Sequence, residues 1–103
     1  MLSKKIEKAL NRQVAVEGDS SQAYLSMASW AETQGFNGIA KFLYKHSDEE
    51  RAHMLKLVHY INERGGQAVI PVLKAPPTVF HSVTSLFEGL LKQEIIVSDD
   101  INK

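Results

Sequence analysis

Each of three apolar stripes in this sequence is interrupted by a carboxylate. Glu17 falls between Val14 and Tyr24, with Gln13 and Ser20 on the same face. Glu50 falls among Phe42, Leu43 and Leu57, and Glu94 among Leu90, Leu91, Val97 and Ile101. Burying an unpaired charge is expensive, and three inward carboxylates in one small bundle also repel each other. A bound cation relieves both costs. His53 follows Glu50 by three residues and so shares its helix face, within reach of the same ion. Imidazole with carboxylates suits iron, manganese or zinc better than calcium or magnesium. The stripe also contains His46, one turn before Glu50, which reads as a core or ligand-supporting histidine rather than a ligand. Glu49 points about 100° away from Glu50, towards solvent. Tyr24 is either a core aromatic or a redox-active neighbour of the site. His59 and His81 read as surface or loop residues, and Met27 and Met54 as packing.

Three helices must position these groups. The first spans about 3–33, with apolar or small residues at Ile6, Leu10, Val14, Tyr24, Met27, Ala28 and Ala31. Gly18 weakens it locally, by roughly 1 kcal/mol relative to Ala. Gly35 supplies a stop, and Asn37 is the expected cap of the next helix. That helix spans about 38–64, with the stripe Ile39, Phe42, Leu43, His46, Glu50, His53, Met54, Leu57 and Ile61, and ends at Gly65-Gly66. The short link predicts an antiparallel hairpin. Residues 67–81 contain Pro71, Pro76 and Pro77 and are too apolar for a disordered linker. Fully extended, about 14 residues reach about 45 Å, against about 40 Å for the second helix. The segment can therefore run back along that helix as a long crossover, placing a third helix, 83–103, parallel to the second. This helix carries Leu86, Phe87, Leu90, Leu91, Ile95, Val97 and Ile101 and starts near Ser82 or Thr84.

The whole chain narrows the function classes. A length of 103 residues suits a single domain. Hydrophobic residues make up 44 % and charged residues 23 %, the balance of a soluble globular protein. Twelve basic residues offset twelve acidic ones, and no Lys/Arg cluster points to nucleic acid or an anionic membrane. With no cysteine, disulfides, thiolate metal sites and a cysteine nucleophile are excluded. The N-terminus lacks the apolar core of a signal peptide, and no stretch approaches the ~20 apolar residues of a membrane helix. A cytoplasmic protein is expected.

The Glu-x-x-His pair on one bundle helix, with a Glu on another, is a signature of carboxylate di-iron bundles. The chain resembles the ferritin family over essentially all its length, specifically the N-terminal three helices of the bacterial non-haem type. The likeness rests on Glu17 followed by Ser20-Ser21 and Tyr24, on Gly35-Phe36 at the turn, and on His46 and Glu49-Glu50-x-x-His53. Arg64-Gly65-Gly66, the apolar crossover and Gln93-Glu94 continue it. The resemblance implies an all-α, ferritin-like four-helix bundle, with three helices here and the bundle incomplete within one chain. The family's fourth helix supplies further carboxylate and glutamine ligands.

The resemblance also implies iron storage and a ferroxidase, an oxidoreductase that passes electrons from Fe(II) to dioxygen or hydrogen peroxide. Glu17, Glu50 and His53 match ligands of the first iron of a di-iron centre. Glu50 matches the bridge to a second iron, for which Glu94 is a ligand. Glu49 matches a carboxylate of an additional iron site, and Tyr24 a tyrosine beside the centre. Bacterioferritins carry a haem-ligating methionine where this chain has Arg51, so no haem is expected. A homo-oligomer is expected.

Other readings remain beside this one. Two Glu17/Glu50/His53 hairpins related by a two-fold axis would make a full di-iron ligand set, a short ferritin-like protein completed across a dimer, with Glu94 spare. A non-catalytic helical assembly module would use its apolar faces only for association; the inward carboxylates argue against it. A rubrerythrin-type peroxidase is a weaker alternative.

Overall fold

A computed structural model describes the backbone of residues 1–101 and the side chains of residues 1–96. Three helices occur in it: α1 (Lys4–Thr33), α2 (Asn37–Glu63) and α3 (Val83–Ile101). Ser3 caps α1, its side chain accepting the Ile6 N–H at 3.2 Å. Ser82 does the same for α3, accepting the Ser85 N–H at 3.1 Å.

Two glycines end the first two helices by the same device. Gly35 and Gly65 adopt φ of 81° and 83°, a left-handed backbone that side-chain-bearing residues resist. The Gly35 N–H reaches the Glu32 carbonyl and the Phe36 N–H the Ala31 carbonyl. After α2, the Gly65 and Gly66 N–H groups reach the Asn62 and Ile61 carbonyls in the same way. Both are Schellman motifs, which satisfy carbonyls that a helix end would otherwise leave open. Asn37 is not the cap of α2. Phe36 occupies that position, without a side-chain bond, and its carbonyl accepts the Ala40 N–H. The turn is so short that the residue closing α1 also opens α2.

α1 and α2 form an antiparallel hairpin. Small residues let them approach: Ala28, Ala31 and Ala40 are buried with Tyr24, Met27, Leu43 and Leu86 in the main apolar cluster. Near mid-length two serines lock the pair reciprocally. Ser21 Oγ donates to the Ser47 carbonyl at 2.9 Å, and Ser47 Oγ to the Ser21 carbonyl at 2.7 Å. Both serines are buried, so these bonds satisfy groups that water cannot reach.

After Ala68, whose N–H donates to Asn62 Oδ1 of α2, the crossover hydrogen-bonds to α1. Its extended backbone needs partners, and polar side chains along α1 supply them. Glu7 accepts the Gln67 N–H, Asn11 accepts the Val69 N–H and donates to the Gln67 carbonyl, and Asp19 accepts the Lys74 N–H. Ser26 donates to the Pro77 carbonyl. Gly18 has a use here beyond lowering helix propensity. A Cβ on it would stand 2.6 Å from Leu73 Cδ2 and 3.0 Å from Met54 Sδ, so the bare backbone seats the crossover in the α1–α2 groove.

α3 packs against α1 and makes no close backbone approach to α2. Gly89 lies by Met27, and Glu94 by Tyr24, so α3 runs antiparallel to α1 and in the direction of α2. Several expected core residues are not covered: Ile6, Phe42, Phe87, Leu91 and Ile95 are each about half exposed or more. Val97 and Ile101, also assigned to the α3 stripe, lie outside the described side chains. No helix among the described residues is long and apolar enough to cross a membrane.

Candidate metal centre

The hairpin brings Glu17 of α1 opposite Glu50 of α2, because the Ser21–Ser47 lock lies one turn away from each. Their side chains are only 4 % and 8 % exposed as residues, a depth that requires a charge partner. Gln13 Nε2 donates to Glu17 Oε1 at 3.1 Å. The second oxygens, Glu17 Oε2 and Glu50 Oε2, are buried with no hydrogen-bond partner. Both face His53 Nδ1, at 3.7 and 4.0 Å. One ligand atom from each of the three residues lies within 4.8 Å of the other two.

This arrangement fits a small divalent cation. Ligand atoms about 2.1 Å from such an ion stand about 3.0–3.4 Å apart, so side-chain shifts on the order of 1 Å would close the set. His53 is more than half exposed at its side chain, which leaves one side of the trio open. Without a cation the carboxylates disturb each other. Burial, then the neighbouring Glu17, and further Glu94 and Glu49, push the Glu50 carboxyl from 4.5 up to about 8. A group that holds a proton this firmly near neutral pH is one whose charge the site lacks the means to balance by itself.

Glu94 stands apart from the trio. The Tyr24 hydroxyl donates to its Oε1, and His46 Nε2 lies 3.2 Å from the same oxygen. His46 Nε2 is also 3.4 Å from Glu50 Oε1, so His46 links Glu94 to the trio. The Tyr24 ring packs on the His46 ring, centroids 4.1 Å apart. Burial and the Glu94 carboxylate hold the Tyr24 phenol well above its usual range, as a neutral donor. Glu49 is exposed, as are His59 and His81. Gln13 was visible in the sequence as a polar residue on the inner face. The contact of His46 with Glu94 was not, since nothing local ties residues on two different helices together.

The Ferritin-like domain family matches residues 7–103. The chain is 42 % identical over 103 residues to a Haemophilus influenzae protein described as a probable bacterial non-heme ferritin-like protein, covering all of this chain and 62 % of that one. It is 38 % identical over 94 residues to a bacterial non-heme ferritin of Staphylococcus epidermidis, covering 91 % of this chain and 57 % of the relative. Among solved structures, the ferritin of Chlorobium tepidum superposes with a TM-score of 0.93 at 40 % identity, over 99 % of this chain and 63 % of that one. An open-pore ferritin from Archaeoglobus fulgidus superposes with a TM-score of 0.92 at 32 % identity, over 99 % and 63 %. The chain thus spans about three-fifths of the length of the relatives it matches. With its helical architecture and this extent of likeness, the chain belongs to the Ferritin-like domain family.

Proposed function

We propose that the chain binds Fe(II) through Glu17, Glu50 and His53 and serves iron oxidation and storage. The observation that carries this reading is the pair of buried, partnerless carboxylate oxygens, Glu17 Oε2 and Glu50 Oε2, turned towards one imidazole nitrogen. Oxygen and nitrogen donors without thiolate suit iron among the transition metals. The relatives named non-heme ferritins support iron over zinc or manganese.

In this reading iron is substrate. A second Fe(II) bound near Glu50 and Glu94 makes the site di-iron, and two ferrous ions give up one electron each, which with two protons reduce dioxygen to hydrogen peroxide or hydrogen peroxide to two waters. The residues contribute position and charge: Glu17 and Glu50 offset the growing positive charge of the ferric products, and His53 fixes the first ion. Gln13 orients Glu17, which frees its second oxygen for the metal. Glu49, exposed beside Glu50, offers an outlying carboxylate for iron leaving or approaching the centre. Tyr24, a neutral phenol bonded to Glu94, stands where it can supply an electron to the site.

Self-association belongs to the same proposal. Phe42, Phe87, Leu91 and Ile95 expose apolar surface on α2 and α3, and a homo-oligomer would remove it from water. The cytoplasm, where Fe(II) is available, is the proposed place of action.

Rapid anaerobic mixing followed by addition of dioxygen tests the site. Glu50→Ala and His53→Ala should each remove rapid iron oxidation, whereas His59→Ala should leave it intact. Equal rates in all three would defeat the assignment.

A further inference from the structure

His46 is an inward-facing histidine with no place in the proposed first iron site, yet it is held with care. Its ring lies between two aromatic rings, with the Tyr24 centroid 4.1 Å away and the Phe42 centroid 5.9 Å away. Its Nε2 lies near two carboxylates on different helices, 3.4 Å from Glu50 Oε1 and 3.2 Å from Glu94 Oε1.

The need for such a residue follows from the packing. Among the described residues α3 lies against α1 and makes no close backbone approach to α2, so no direct α2–α3 packing sets how far Glu94 stands from Glu50. Glu94 is a long side chain, half exposed, and ordering it sacrifices rotamer freedom. Two carboxylates also repel when brought together. A nitrogen donor standing between them offsets the repulsion and ties the two helices at one height. Tyr24 assists by donating to the same Glu94 oxygen.

We infer that His46 is a positioning residue, holding Glu94 of α3 against Glu50 of α2 at the spacing that lets a second divalent cation bridge them. This rests on the iron site proposed above, in which Glu17, Glu50 and His53 bind the first cation; His46 meets Glu50 at Oε1, whereas the oxygen turned towards His53 is Oε2. The effect of His46 therefore falls chiefly on the second cation. A histidine that merely fills space would affect stability and leave the two binding steps in their original ratio.

Anaerobic calorimetric titration of the full chain with Fe(II), repeated with Zn(II), separates these roles. The unaltered chain should show two binding steps. His46→Phe keeps the ring between Tyr24 and Phe42 but has no donor. His46→Leu removes both, and should one variant fail to fold, the other carries the comparison. Either should keep the first step within about twofold and weaken the second at least tenfold. His46→Gln, which restores an N–H donor, should recover most of the second step. Two unchanged steps in His46→Phe or His46→Leu overturn the positioning role and leave the first site standing. So does a single step in the unaltered chain, or loss of both steps in every variant. No binding at all by the unaltered chain overturns the first site and this inference together.

Discussion

Burial of the Glu50 carboxyl beside Glu17 gives the metal-free protein a definite pH dependence. The folded chain holds a proton on Glu50 up to about pH 8, whereas the unfolded chain releases it near pH 4.5. Between these values the unfolded state binds fewer protons, so stability declines as pH rises. It is full below about 4.5 and its Glu50 contribution is lost by the time pH passes about 8. Urea midpoints of the metal-free protein at several pH values should therefore fall across this window, and Glu50→Gln should flatten the fall; an unchanged slope would contradict the burial argument. A cation must displace that proton, so binding below about pH 8 should release protons into weakly buffered solution. Tyr24→Phe keeps the ring against His46 but loses the bond to Glu94, and should lower stability by about 0.5–1.5 kcal/mol in denaturant titrations. Glu17, Glu50 and His53 were legible in the sequence because each breaks an apolar stripe at helical spacing. The Ser21–Ser47 lock and the His46–Glu94 contact were not, because a polar residue on a helix carries no mark of which distant residue it meets.

The elements are held by a few backbone requirements that can be tested in opposite directions. Gly35 has φ of 81° with open space where a Cβ would be, so its constraint is conformational and not steric. Gly35→Ala should destabilise the chain by about 1–2 kcal/mol. Gly38 also has open space but lies within α2 with no positive φ, so Gly38→Ala should stabilise by about 0.4–1 kcal/mol. Thermal unfolding of the two variants should shift to opposite sides of the unaltered chain, and a shift in the same direction would contradict the assigned turn geometry. The glycines were readable as helix stops since few other residues accept that backbone. α1 ends at Thr33 and α2 at Glu63, each two residues before a glycine of positive φ. The crossover's path was not readable. Its length was read as a run back along the second helix, whereas Asn11 and Asp19 of α1 hydrogen-bond to its backbone 55 or more residues away.

The molecule as a whole is long and thin, 49 × 21 × 19 Å, with a radius of gyration of 15.1 Å against about 13 Å for a compact domain of this length. Such a shape gives a narrow core, and much apolar side-chain surface on α2 and α3 stays exposed. Light scattering across a concentration series should detect association, which Leu91→Asp should weaken; a monomer at every concentration would contradict the role assigned to that surface. The candidate centre opens to solvent through the exposed His53. The central claim is that two buried carboxylate oxygens, Glu17 Oε2 and Glu50 Oε2, persist without hydrogen-bond partners because a cation belongs between them. Anaerobic Fe(II) titration of the unaltered chain against Glu50→Ala tests this most directly. Saturable binding by the unaltered chain, lost in Glu50→Ala, is the predicted result; no binding by the unaltered chain, or equal binding by both, would contradict it.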